Sequence, residues 1–144
     1  MIKINPYLNF KGNCNEAFEF YKYVFGGDFG YLGRYKDMPQ DPEHPLPEHL
    51  KEKIMHISLP ISKETILFGS DVVEEFGQKI GFDGNVELMV SAENQTEADA
   101  IWAKLSEGAQ ITMPMQAAFW GDYFGSLSDK YGVRWMVISP IDKQ

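Results

Sequence analysis

The feature that most narrows the fold is an internal repeat. Asn13-x-x-Glu16-Ala17 recurs as Asn94-x-x-Glu97-Ala98, and at the same offset Tyr21 answers to Trp102, Val24 to Leu105 and Gly27 to Gly108. Each copy carries the marks of a helix: an Asn able to cap, a Glu three residues on, apolar residues at helical spacing and a closing glycine. The segments around the two helices also run in the same order, one strand before and three strand-like runs after. A repeated supersecondary unit predicts two similar modules packed together. The chain therefore reads as α+β, a single domain over residues 1–144 made of two βαβββ modules. These span about 1–70 and 84–144, with a linker at about 71–83.

Within the first copy, Ile2 to Phe10 reads as a strand, and Lys11-Gly12 breaks it. Asn13 is expected to cap a helix whose apolar face is Ala17, Phe20, Tyr21, Val24 and Phe25, ended by Gly26-Gly27. Phe29 to Lys36 is strand-like, and Asp37 to Lys53 is an acidic, proline-containing surface loop with a short helix at Glu48 to Lys51. Ile54 to Ile61 and Thr65 to Gly69 pair across Ser62-Lys63-Glu64. In the second copy Asn85 to Ser91 is a strand, and Ala98, Ile101, Trp102 and Leu105 form the helix's apolar face before Gly108. Ala109 to Met115 follows as a strand. The copy closes on a hairpin, Tyr123 to Leu127 and Val133 to Ser139, joined by Ser128-Asp129-Lys130-Tyr131-Gly132.

The run W-G-x-x-F-G-x-L-x-D-x-Y-G-V-x-W from Trp120 to Trp135 resembles the C-terminal signature of the PhnB-like proteins, a branch of the glyoxalase, bleomycin-resistance and ring-cleaving dioxygenase (vicinal oxygen chelate) superfamily. Pro6-Tyr7-Leu8-Asn9-Phe10, Gly12-Asn13, Glu16-Ala17, Phe20-Tyr21, Phe25-Gly26-Gly27, Ile54-Met55-His56 and Ile111-Thr112-Met113-Pro114 fit the same branch. The resemblance covers nearly the whole chain. It implies that the two modules curve into one cupped mixed sheet, that the protein is a homodimer, and that the cup receives a small molecule. The family often carries the label 3-demethylubiquinone 3-methyltransferase, but the sequence has no glycine-rich cofactor loop and no doubly wound pattern. Gly26-Gly27-Asp28-Phe29-Gly30 follows a helix and enters a strand, the reverse of a nucleotide loop's order.

Strand alternation then assigns faces. Leu8 and Phe10 should pack on the helix, leaving Asn5, Tyr7 and Asn9 toward the cup. Met55, Ile57 and Leu59 should pack, leaving His56 and Ser58 inward. Val86, Leu88 and Val90 should pack, leaving Asn85, Glu87 and Met89. Val133, Trp135 and Val137 should pack, leaving Arg134, Met136 and Ile138. With Phe119 and Trp120 at the mouth, the candidate ligand-binding residues are Tyr7, Asn9, His56, Glu87, Phe119, Trp120 and Arg134.

Metal-dependent members of the superfamily use four inward positions filled by His and Glu. Here these fall on Asn5, on or near His56, on Asn85, and on Met136, the last fixed by Asp129-x-x-Gly132-x-x-x-Met136. A thioether stands where a carboxylate is expected, and a two-residue slip would add only Glu87. The expectation is small-molecule binding with no cofactor and no tightly held catalytic metal. The alternative is a lyase, isomerase or dioxygenase using His56 and Glu87 as catalytic or metal-binding groups with a weakly held divalent ion. His44 and His49 lie in the acidic loop and add nothing.

A formal charge of −8 argues against nucleic acid or an anionic membrane surface as partner. No apolar run approaches a membrane span. The single cysteine, Cys14, excludes an internal disulfide framework. It reads as small core filler, although its place in the first helical turn could favour thiolate. Met1-Ile2-Lys3-Ile4-Asn5 reads as a strand without a signal peptide's apolar stretch, so a cytoplasmic location is expected.

Overall fold

The computed structural model describes residues 3–74, 86–118 and 120–142. The chain forms two compact units, 1–81 and 82–144. The first contains strand β1 (Tyr7–Phe10), helix α1 (Cys14–Phe25), β2 (Tyr31–Arg34), β3 (Ile54–Pro60) and β4 (Ile66–Asp71). The second contains β5 (Leu88–Ser91), α2 (Gln95–Leu105), β6 (Gln110–Ala117), β7 (Asp122–Ser128) and β8 (Arg134–Pro140). The sheet orders are β1-β4-β3-β2 and β5-β8-β7-β6, so the two sheets share one topology. In each, the first strand runs parallel to the last, and the other pairs are antiparallel. This is the α+β architecture the repeat predicts.

Each helix lies on one face of its sheet over a glycine. A Cβ at Gly69 in β4 would overlap the ring of Phe18, itself fully buried on α1. A Cβ at Gly125 in β7 would stand 2.9 Å from Trp102 Cη2 and from Met115 Sδ. In the first unit Phe18 also meets Phe10 and Tyr21 edge-on, at 6.3 and 5.6 Å between centroids. Burying aromatics of this size supplies most of the drive to bring helix and sheet together.

Two buried carboxylates hold the corners. Asp71, 2% exposed at the end of β4, accepts from the Gly12 and Cys14 backbone N–H groups through Oδ1 and from Ile54 N–H through Oδ2, all at 2.9 Å. The Tyr35 hydroxyl donates to the Asp71 carbonyl at 2.8 Å. Asp71 thus caps α1 from across the sheet, and the Asn13 side chain makes no capping hydrogen bond. The capping box expected at Asn13 is therefore absent. Its counterpart at Asn94 is a true cap, accepting from Glu97 N–H at 2.8 Å. Asp129 organises the last hairpin. Its Oδ1 accepts from Tyr131 and Val133 N–H, at 2.8 and 3.0 Å, and its Oδ2 from Trp135 Nε1–H at 2.8 Å.

Other expectations shift in detail. A bulge in the β2–β3 pairing lies between Gly33 and Arg34, whose partners are His56 and Ile54. Ile54, not Met55, is consequently the fully buried residue. Met55 packs instead against Tyr35, Leu50 and Val73. Leu46 and Leu50 of the long loop cover that same cluster, so this loop is partly core. Val86 is 70% exposed and precedes β5, contrary to its expected packing. The core residues of β1 are Leu8 and Phe10, while those around β5 are Leu88, Val90 and Ala92. The repeat offset therefore holds in the helices but is one residue longer in the strands before them.

Cys14 is fully buried at the start of α1. Burial, with the Asp71 charge beside it, pushes the thiol far above its ordinary range. An aromatic disulfide reagent should leave it unmodified in native buffer at pH 8 and modify it at once in denaturant. Rapid native labelling would show that this corner opens. The sign of the linkage follows: the folded thiol stays protonated where the unfolded one ionises, at about 8.5. Its contribution to stability is full below that pH and declines above it.

Candidate functional site

The face of the first sheet that α1 leaves open carries a row of rings. By register Tyr7 lies opposite Phe68, Phe68 opposite Ser58, and Ser58 opposite Tyr31, so one row crosses β1, β4, β3 and β2. His56 lies two residues from Ser58 on the same side of β3. Its ring centroid is 5.6 Å from Phe68 and 5.8 Å from both Tyr7 and Tyr31. Tyr7 and Phe68 are themselves near-parallel at 6.3 Å. The Tyr7 hydroxyl is 3.3 Å from His56 Nδ1. Where the phenol donates, Nε2 carries the imidazole proton; where Nδ1–H donates, Nε2 is the basic nitrogen. Among the described residues no group hydrogen-bonds Nε2. The row thus offers an oriented imidazole between aromatic walls, with no fixed charge of its own.

The sequence reading reached Tyr7 and His56 but missed Tyr31 and Phe68. Alternation along β4 is the signal that would have found Phe68, since Phe68 and Ser70 alternate with Leu67, Gly69 and Asp71. Asn9 is exposed on β1 opposite Ser70, on the same side as Tyr7.

The remaining candidates belong to the second unit. Glu87 is exposed and lies just before β5, outside the ladder in which it was expected. Arg134 opens β8 opposite Ser128 and is also exposed. No ion pair joins Glu87 to Arg134 among the described residues. Trp120 is 61% exposed, donates from Nε1 to Asp122 Oδ2 at 2.8 Å and lies 5.9 Å from the Phe124 ring. Phe119 lies outside the described residues. Tyr123 proves to be a helix-side residue, its hydroxyl donating to Asp99 Oδ1 on α2 at 2.6 Å. The open face of this sheet instead bears Met89, Met136 and Ser126 in one cross-strand row, with Met113 opposite Ser126.

For a divalent ion the donor chemistry is poor. Of the four expected positions, Asn5 lies before β1 and its Oδ1 accepts from Ile66 N–H at 3.1 Å. His56 is an imidazole, Asn85 lies outside the described residues, and Met136 offers a thioether. A thioether and an amide do not replace carboxylates for the hard and borderline ions that such sites hold. Among the described residues the one group of three close ligand-type side chains is Asp41, Glu43 and His44, all exposed in the loop. His44 Nδ1 and Asp41 Oδ2 are already joined at 3.0 Å.

Comparison with known proteins agrees with this architecture. The family model described as 3-demethylubiquinone-9 3-methyltransferase matches residues 2–138. The crystal structure of protein PA1353 from Pseudomonas aeruginosa is 31% identical, with a TM-score of 0.84 over 99% of this chain and 100% of that one. A Bacillus cereus structure, whose description proposes a 3-demethylubiquinone-9 3-methyltransferase, PhnB protein, is 25% identical, with a TM-score of 0.72 over 98% and 100% of the two chains. A glyoxalase/bleomycin resistance protein/dioxygenase family enzyme from Burkholderia phytofirmans PsJN is 13% identical, with a TM-score of 0.58 over 93% and 96%, a likeness of fold.

Proposed function

The chain belongs to the PhnB-like family whose model is described as 3-demethylubiquinone-9 3-methyltransferase and shares the fold of a glyoxalase/bleomycin resistance protein/dioxygenase family enzyme, and from that premise we propose that it binds a small molecule at the open face around His56 without a tightly held catalytic metal. The observation that carries this reading is the Tyr7–His56 contact inside the ring row. A half-buried imidazole fixed through Nδ1 and walled by three aromatic rings is a built recognition element, and core packing does not require it. The row's aromatic walls, which bring no carboxylate beside His56, and the thioether at Met136 both support binding over metal-assisted chemistry. Methyl transfer is not carried over, because the two described sheets offer no doubly wound, strand-loop-helix nucleotide site. We further place the protein in the cytoplasm, on its single buried cysteine, and read it as a homodimer, as its family resemblance implies. No helix among the described residues is long and apolar enough to cross a membrane.

A thermal-shift screen of small aromatic and polar compounds, followed by His56→Ala, tests the proposal. At least one compound should raise the midpoint of the wild-type protein, and His56→Ala should abolish that rise while leaving the unliganded midpoint within a few degrees. Zn, Ni, Mn and Fe should give no comparable rise. A metal-induced shift that depends on His56 would move the reading to the metal-assisted enzyme.

A further inference from the structure

Gly33 is buried in β2 and sits directly opposite His56 in the antiparallel register. Its φ is not in the left-handed region, so the backbone does not demand glycine there. The space does. A Cβ at Gly33 would lie 2.7 Å from the Tyr31 hydroxyl oxygen, 2.9 Å from Tyr31 Cε1 and 3.0 Å from Cζ. The Tyr31 ring therefore folds along its own strand into the place a side chain at Gly33 would occupy. That position brings it to 5.8 Å from His56, on the opposite flank from Tyr7 and Phe68. Tyr31 remains 50% exposed, so core burial does not hold it there.

We propose, resting on the reading of this face as a ligand site, that Gly33 and Tyr31 together determine its specificity. The missing Cβ seats the Tyr31 phenol beside His56, and the completed set selects a planar ring that carries a hydroxyl or carbonyl oxygen. The chemistry supports that class. Tyr31 and Tyr7 supply hydroxyls that both donate and accept, and His56 supplies a nitrogen that does one or the other. Phe68 and the ring faces supply surface that favours a flat partner. Gly33 is a positioning residue that acts through Tyr31, not one that touches the ligand.

Three probes of similar size separate the parts of this class: p-cresol has the flat ring and the oxygen, toluene only the ring, and 4-methylcyclohexanol only the oxygen. Binding is read from the imidazole cross-peak of His56 in the full-length protein with labelled histidine, assigned by its loss in His56→Ala. The wild-type protein should prefer p-cresol. Gly33→Ala and Tyr31→Ala should each weaken p-cresol roughly three- to tenfold, the loss of one aromatic contact. The double variant should bind no more weakly than Tyr31→Ala alone, because the glycine has nothing left to seat. Gly33→Ala should keep its fold, since the atoms it meets belong to the free end of an exposed side chain, and its unfolding midpoint checks this.

Gly33→Ala binding as the wild type does, or weakening binding equally without Tyr31, would overturn the role of Gly33 while leaving the ligand face standing. Toluene or 4-methylcyclohexanol binding as tightly as p-cresol would overturn the ligand class. A His56 cross-peak that no probe moves would remove both this inference and the reading on which it rests.

Discussion

Asp71→Ala should destabilise the protein by roughly 3–6 kcal/mol, which is enough to unfold the first unit or leave it barely folded. The carboxylate serves three backbone donors at once, Gly12, Cys14 and Ile54, in a site only 2% exposed. Removing it strands those N–H groups in the interior, at about 1–3 kcal/mol each, with partial relief where water enters. It also uncaps α1, because Asn13 offers no side-chain bond in its place. Asp71→Asn should fall between the variant and the wild type. Its amide oxygen can still accept at one end, while its NH2 group would face a donor at the other. Denaturant titration followed by circular dichroism measures both. A loss below about 1 kcal/mol for Asp71→Ala would mean that these contacts are readily replaced, against the ordinary cost of buried unpaired donors.

Asp129→Ala should cost the second unit a comparable amount, roughly 3–5 kcal/mol. Here two of the three donors lie in the turn and the third is the Trp135 indole, itself 2% exposed. The loss has a spectroscopic mark that Asp71 lacks. The environment of Trp135 should change, so its fluorescence should shift even under conditions where the variant remains folded. Amide exchange should show the damage concentrated in β7 and β8. Wild-type exchange rates in that hairpin, measured on Asp129→Ala, would contradict the assignment of Asp129 as its organiser.

These two residues mark how far the sequence could be read. Asp129 was legible as turn chemistry because its contacts are local, within six residues along the chain. Asp71 was not, because it reaches back to Gly12 and Cys14, more than fifty residues away, and Asn13 presents a plausible local cap that the fold does not use. The helices and the closing hairpin follow from periodicity and glycines: Gly26, Gly27, Gly108 and Gly132 all take the positive φ those ends require. The bulge after Gly33 left no trace in the alternation of β3, so Met55 was expected in the core where Ile54 lies. Val86 reads as one more apolar strand residue, yet β5 begins only at Leu88.

The site shows the same division. His56 and Tyr7 were found because inward polar residues stand out in apolar strands. Tyr31 and Phe68 were missed because an aromatic side chain in a strand is ordinary core material. What distinguishes Tyr31 is the gap at Gly33, and that gap is visible only when the ring is seen folded over it.

The central claim is that this chain recognises its ligand through the His56 ring row and not through a bound ion. Elemental analysis of the full-length protein, purified without chelator and without a histidine tag, tests it most directly. The account predicts only substoichiometric zinc, nickel, manganese and iron, with the same low content in the wild type and in His56→Ala. One equivalent of a divalent metal in the wild type, lost in His56→Ala, would contradict it.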